Sequence, residues 1–457
     1  MEQQSFCNIS LSDPFFNSLK EDYPEFSKWY NKKKKDNAKA FIQKNNEGML
    51  QAFLYLKQEL EDITDVCPPM PAANRLKVGT FKIEAHNTKL GEQFVKKIVV
   101  AALHIDADEI YVTIYRKHEG LIRLLKRYGF LVYGTKGHED EPEFVFVKSM
   151  KVYSGDLLYD YPYIHTSKVR KFILSIKPEY HTPLFPDSIL DNEERDKSFL
   201  VRDIAYTNSI HKIYLCKMRN IDQLSRGDIL LIYRMKDEKG AAYYRSVVSS
   251  ICIVEEIKKA SDFKSTEEFI KYANAYSIFN ENELRKWYTE YGMTLIKMTY
   301  NIAFDRRVTR GELIEQVGLS AGDYWGFMQI NDEQFKNIIS RGKKYEYRKA
   351  IFTRSVDKVV VYSTKPVGMI VGEFTVENIL NDTPSTLWDQ THKDSGITKD
   401  FFDQYFEGRT HGYALKISSP RLYEEPINPF ELFKAFAAPQ SFKYIDPNES
   451  ALLFSNY

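Results

Sequence analysis

The stretch RLKVGTFKIEAHNTKLGEQFVKKIVVAALHIDADEIYVTIYRKHEGLIRLLKRYGF, residues 75–130, decides how the front of the chain folds. Arg75 to Ile83 reads as a strand, with Leu76, Val78 and Ile83 as its apolar members. Glu84 to Lys89 is a turn. A helix follows from Leu90 to about His104, with Phe94, Ile98, Ala101 and Ala102 on one face. Glu109 to Tyr115 is a second strand. Glu119 to Tyr128 is a short helix that stops at Gly129, where glycine takes a left-handed cap at no steric cost. Strand, helix, strand, helix in this order implies an α/β layer.

Working outward, residues 1 to about 35 read as helix, because Phe15, Phe16, Leu19, Phe26 and Trp29 recur near helical spacing. Lys32 to Lys35 form a basic run that suits a solvated turn or a phosphate contact. Ala38 to Lys44 and Met49 to Leu60 make a hairpin across Asn45–Gly48. Phe130 to Gly134 and Glu143 to Lys148 close the module as strands. From about residue 155 prolines punctuate the chain, and Asp191 to Lys197 looks like a charged helix or linker. Strands are expected over Lys171–Ile176, Lys212–Lys217, Asp228–Met235, Ala242–Ile257 and Thr294–Phe304, with helices over Ser265–Tyr276 and Glu281–Tyr291. A further unit starts near Asn331 with a helix over Asp332–Ser340 and strands over Val356–Ser363, Gly368–Val376 and Tyr413–Ile417.

With 457 residues the chain has room for about three domains. A net charge of +1 carries no global nucleic-acid signature, so any such site must be a local patch. Cys7, Cys67, Cys216 and Cys252 stand far apart, which argues against a disulfide framework and against a zinc site. No apolar run reaches the ~20 residues of a membrane span, and the N-terminus lacks a signal peptide's apolar core. The cytoplasm is the expected location.

The order of elements in 75–130 resembles the core of the GNAT N-acetyltransferases. In that family the turn before the long helix cradles the acetyl-CoA diphosphate, work that suits the unpaired N–H groups opening a helix. The resemblance places this loop on His86, Asn87, Thr88, Lys89, Leu90 and Gly91. Gly91 fits the last glycine, Lys89 stands where the first glycine is usual, and His86 replaces a Gln or Arg. Leu125 occupies the position of the family's acid tyrosine, which leaves two outcomes open: the departing thiolate's proton comes from another group such as Tyr115 or His118, or the module binds acyl-CoA poorly or not at all. Glu84 is a candidate base acting through water. A backbone N–H of the Tyr111–Tyr115 strand would hold the oxyanion. The acceptor implied is an amine.

The segments ISRGKKYEYRKAIF (339–352), VDKVVVYSTKPVGMIVGEFTVENIL (356–380) and LWDQTHKDSGITKDFFDQYFEGRTHGYALKI (387–417) resemble an ASCH domain, a relative of the PUA fold. The resemblance makes Lys344, Glu346 and Arg348 candidates for contacts to phosphate or base edges. Some ASCH members remove the acetyl group of 4-acetylcytidine, and Lys344 and Glu373 would fill two of the three places needed. RGDILLIYR (226–234), YYRSVVSSICIVEEI (243–257) and YWGFMQI (324–330) resemble an EVE-type PUA-like domain, with Trp325, Tyr324 and Tyr233 as stacking candidates.

The expected architecture is therefore α/β and α+β multidomain. A GNAT-like mixed sheet with helices fills 1–150, and two PUA-like β-barrels follow, 151–330 and 331–457. Three functions stay open. One is an acetyl-CoA-dependent N-acetyltransferase whose rear modules present RNA, tRNA included, or a modified nucleoside. The second is a non-catalytic sensor of modified nucleic acid. The third is an amidohydrolase at the rear site.

Overall fold

The computed structural model describes residues 2–45, 47–84, 89–137, 142–188, 205–340, 345–356, 358–363, 368–392, 395, 397, 399–433, 436–439 and 442–454. His86, Asn87, Thr88, Lys344 and the charged stretch Asp191–Lys197 lie outside them. The chain forms two compact units. The first takes Met1–Pro162, Pro183–Leu215 and Lys258–Lys297; the second takes Tyr163–Thr182, Cys216–Ile257 and Met298–Tyr457.

The first unit is built on a seven-stranded sheet of order β1-β2-β3-β4-β5-β7-β6. Its strands are β1 (Glu2–Ser5), β2 (Lys39–Lys44), β3 (Leu50–Glu59), β4 (Arg75–Ile83), β5 (Glu109–Tyr115), β6 (Leu131–Lys136) and β7 (Glu143–Ser149). Only β4 and β5 run parallel, because the helix α3 (Leu90–His104) crosses between them. Alternation along each strand sorts the side chains onto two faces. Ala52 and Leu54 of β3 face a core with Leu76, Val78, Phe94, Ile98, Ile110 and Val112, roofed by α3 and α4 (Glu119–Arg127). Phe53 and Tyr55 face the other way, against Phe6, Phe16, Phe26 and Tyr30 of the N-terminal segment.

That segment departs from the expected single helix. Glu2–Ser5 pairs with β2 as an edge strand, and two short 3-10 turns, α1 (Asn17–Asp22) and α2 (Phe26–Lys35) follow. The reason is local. Pro24 holds Tyr23 extended, at φ −129° and ψ 94°, which ends α1. The four lysines 32–35 fall in the last turn of α2, where positive charge suits the helix dipole.

In the second unit β8 (Lys171–Ile176) lies between β13 (Phe327–Ile330), antiparallel, and β10 (Ile229–Arg234), parallel, and β10 pairs antiparallel with β11 (Val247–Lys259). The expected strand over 242–257 therefore starts later. Ala242–Arg245 is one helical turn, and it seats the Tyr243 ring so close to Gly311 that a Cβ there would come within 2.6 Å. The strands β9 (His211–Cys216) and β12 (Thr294–Thr309) are each divided between the two units. A four-stranded antiparallel sheet of order β14-β17-β16-β15 follows: β14 (Tyr345–Arg348), β15 (Val359–Ser363), β16 (Met369–Asp382) and β17 (Gly412–Ile427). Among the described residues no helix is long and apolar enough to cross a membrane.

Candidate functional site

The parallel ladder between β4 and β5 is short. It runs from Arg75 opposite Glu109 to Val78 opposite Val112 and stops there. Both strands continue: β4 stays paired with β3 to Ile83, and β5 with β7 to Tyr115. The parting has a cause. The β3–β4 register shifts between Tyr55 and Leu56, so Gly79 is the extra residue of a bulge. A Cβ at Gly79 would lie 2.8 Å from Tyr55 Cδ1, which is why glycine sits there. The result is a wedge whose facing edges, Gly79–Ile83 and Thr113–Tyr115, share no ladder and turn main-chain donors and acceptors toward the gap.

The helix α3 begins beside the wedge. Lys89, directly before it, has φ 56°, the left-handed conformation that favours glycine. Leu90 is buried, and Gly91 lies against α4, where a Cβ would come within 2.7 Å of Leu124 Cδ2. The first helical N–H bonds reach back from Glu92 and Gln93 to the Lys89 carbonyl. The N–H groups of Leu90 and Gly91 precede them, as the opening of any helix requires.

Leu125 is wholly buried in the core. Tyr128 is buried as well, its hydroxyl 3.2 Å from His211 Nε2, which also meets Arg127 at 2.7 Å. At the end of β5, the Tyr115 ring packs against Tyr23 at 5.1 Å, tilted by 36°, and the Tyr23 hydroxyl donates to Glu143 at 2.9 Å. Burial, with Glu143 beside it, pushes the Tyr23 hydroxyl well above its ordinary range. His118 precedes α4, with Nε2 3.5 Å from Asp22, which also pairs with Lys117. The end of α1 thus brings Tyr115 and His118 into one polar and aromatic group. Glu84 stands just past β4 on the wedge's other arm, half-exposed and paired with Lys82 at 2.6 Å. Tyr23, Asp22 and Glu143 escaped the sequence reading, since pairing across 120 residues leaves no local pattern.

In the rear sheet Glu346 and Arg348 point to one side of β14 and pair with each other at 2.8 Å. Tyr347 between them points inward, where its hydroxyl meets Thr391. Glu373 is elsewhere. Glu346 lies opposite Leu415 and Glu373 opposite Arg421, six residues further along β17, or about 20 Å of strand. Glu373 is 7% exposed and accepts from Lys358 at 2.8 Å and Tyr423 at 2.9 Å, with Arg421 3.8 Å away. Burial alone would raise this carboxyl, but the Lys358 and Tyr423 hydrogen bonds and the two cations carry it below the usual carboxylate range. Lys358 and Tyr423 were also missed, being 15 and 50 positions from Glu373. Trp325, 7% exposed, lies under the Arg310 guanidinium at 4.2 Å and beside Tyr233 at 5.3 Å. Among the described residues no group of three or more His, Cys, Asp or Glu is arranged to hold a metal.

No family model matches the chain. It is similar to the large ribosomal subunit protein uL22 of Ureaplasma parvum serovar 3, 30% identical over 114 residues, 25% of this chain and 34% of that protein. The chain spans about a third of the length of these first curated relatives. It is also similar to an ASCH domain-containing ribonuclease of Zymomonas mobilis, 26% identical over 127 residues, 26% of this chain and 83% of that protein. Solved structures of an ASCH protein and of GNAT acetyltransferases each match a quarter to a third of the chain. One of them, a GNAT family acetyltransferase from Elizabethkingia anophelis with acetyl-CoA bound, is 11% identical over 32% of this chain and 97% of its own, at a TM-score of 0.22.

Proposed function

We propose that the chain is an acetyl-CoA-dependent N-acetyltransferase, with its transferase module in 1–150 and PUA-like modules in 151–330 and 331–457 that bind RNA or a modified nucleoside. The observation that carries this reading is the wedge. Two parallel strands whose shared ladder ends at a bulge leave facing edges between which a chain-like ligand fits, and a helix opening beside them suits a diphosphate.

In this reading the loop His86–Gly91 holds the diphosphate, and the acetyl thioester lies between Gly79–Ile83 and Thr113–Tyr115. The acceptor amine, freed of its proton through a water held by Glu84, attacks the thioester carbon. An N–H of the β5 edge stabilises the oxyanion. As the C–S bond breaks, Tyr115 or His118 returns a proton to the CoA sulfur. Thermal melting with acetyl-CoA tests this. At about 100 times its Kd the ligand should add roughly 2.7 kcal/mol, and Gly91→Glu, which pushes a side chain into Leu124, should abolish the gain. No shift at millimolar acetyl-CoA would end the transferase reading.

A second reading concerns the rear module, and one observation favours it. In the rear sheet a buried carboxylate, Glu373, is held by Lys358 and Tyr423. Lys344, Glu346 and Arg348 are the proposed phosphate and base contacts; Trp325, in the 151–330 module, is already covered by Arg310. RNA binding should weaken steeply with salt, and Arg348→Ala should flatten that slope. A salt-independent affinity would overturn it.

A further inference from the structure

We propose that the segment Lys258–Lys297, which joins the first compact unit from far along the chain, supplies a seat for the phosphorylated adenosine end of acetyl-CoA. This rests on the acetyl-CoA reading above and names a part of the site which that reading leaves open.

The seat is centred on Tyr276, in the turn after the helix Thr266–Ala273. Its ring is fixed from behind. The Tyr276 carbonyl accepts from Ile213 N–H at 2.8 Å, and the His211 ring meets it edge-on at 5.5 Å and 69°. His211 is in turn tied to Arg127 and Tyr128 at the end of α4. Two ammonium groups from separate parts of the chain converge on this ring, Lys89 at 5.1 Å from its centre and Lys297 at 5.4 Å. All three side chains are half-buried, so the group is preorganised and still open to solvent.

The chemistry suits one class of ligand. An aromatic face takes a purine, and two nearby ammoniums take phosphate oxygens. Lys89 makes the link, because it is at once a wall of this group and the residue leading into Leu90 and Gly91. A cofactor whose thioester lies in the wedge and whose diphosphate passes the start of α3 would bring its nucleotide to Tyr276. Lys89 also accounts for a departure from the glycine expected at its position. It accepts a left-handed backbone and places a cation beside the ring.

The test is calorimetry on the full chain with two probes, acetyl-CoA and acetyl-pantetheine, which has the same thioester and no nucleotide. Lys297→Gln and Tyr276→Leu should each weaken acetyl-CoA about tenfold and leave acetyl-pantetheine unchanged. Lys89→Gly removes a charge while relaxing the left-handed backbone, so it keeps the fold and should show the same selective loss. Variants that bind acetyl-CoA as the parent does would overturn the seat and leave the transferase reading standing. Equal losses for both probes would overturn it too, since the effect would not belong to the nucleotide. A parent that binds neither probe would remove the transferase reading, and the seat with it.

Discussion

Lys148 lies in β7 with its Nζ donating to the Tyr159 carbonyl at 2.6 Å, next to Gly129. Burial, opposed in part by the Asp160 charge, pushes its pKa down to about 8. An unfolded lysine titrates near 10.4. Between these values the unfolded chain holds the proton that the folded chain has lost, so stability rises with pH across this window. Below pH 8 both states are charged, and the burial cost is present in full. The expected outcome is that the unfolding free energy of the parent, minus that of Lys148→Met, climbs by up to about 1.4 kcal/mol per pH unit from pH 8 to about 10.4. Chemical denaturation across that range measures it, and a flat difference would sink the assignment. At this scale the sequence was partly legible. Glu84, Tyr115, His118 and Gly91 were named from their places in a pattern, and Lys89 was noted as an unusual occupant. Tyr23, Lys148, Lys358 and Tyr423 were not, because each acquires its surroundings only through contacts distant in sequence.

Periodicity located most elements within a few residues, since a buried face imposes its repeat on the local sequence. The helix over Leu90–His104 and the strand over Glu109–Tyr115 match their expected bounds. What periodicity cannot express is register. The bulge at Gly79 shifts the inward set of β4 from Leu76 and Val78 to Phe81 and Ile83, a change of phase rather than of residue type. That phase change opens the wedge, so the feature on which the proposed chemistry rests was invisible one strand at a time. Gly79→Val tests the link between bulge and site. The added side chain must displace the Tyr55 ring, which should lower stability by about 1–3 kcal/mol. The melting shift with acetyl-CoA should vanish while a cooperative transition survives. An undiminished shift would mean that the wedge geometry does not govern binding.

The largest scale was the least legible, because compact units need not be continuous in sequence. Boundaries near 150 and 330 follow the changes in pattern, whereas the first unit also draws in Pro183–Leu215 and Lys258–Lys297. The contact that ties the former back is chemical. Glu92 of α3 is 3% exposed, and its carboxylate accepts from the Ser209 hydroxyl and the Ile210 N–H, with Ile210 itself wholly buried in the α3 core. A glutamate on an otherwise apolar helix face reads locally as a surface residue, and only its distant donors make it an interior one. This yields a prediction that separates docking from local helix stability. In the full chain, Glu92→Leu strands two buried donors, each at about 1–3 kcal/mol, so the melting temperature should fall by several degrees. In a fragment ending at Pro162 that face is wet, and the same substitution should be neutral or slightly stabilising, leucine being at least as good a helix former as glutamate. The fragment itself should melt below the full chain, having lost the cover of Ile210. If Glu92→Leu lowers both melting temperatures equally, the returning segment does not dock through Glu92, and the first unit would have to be held together by its apolar contacts alone.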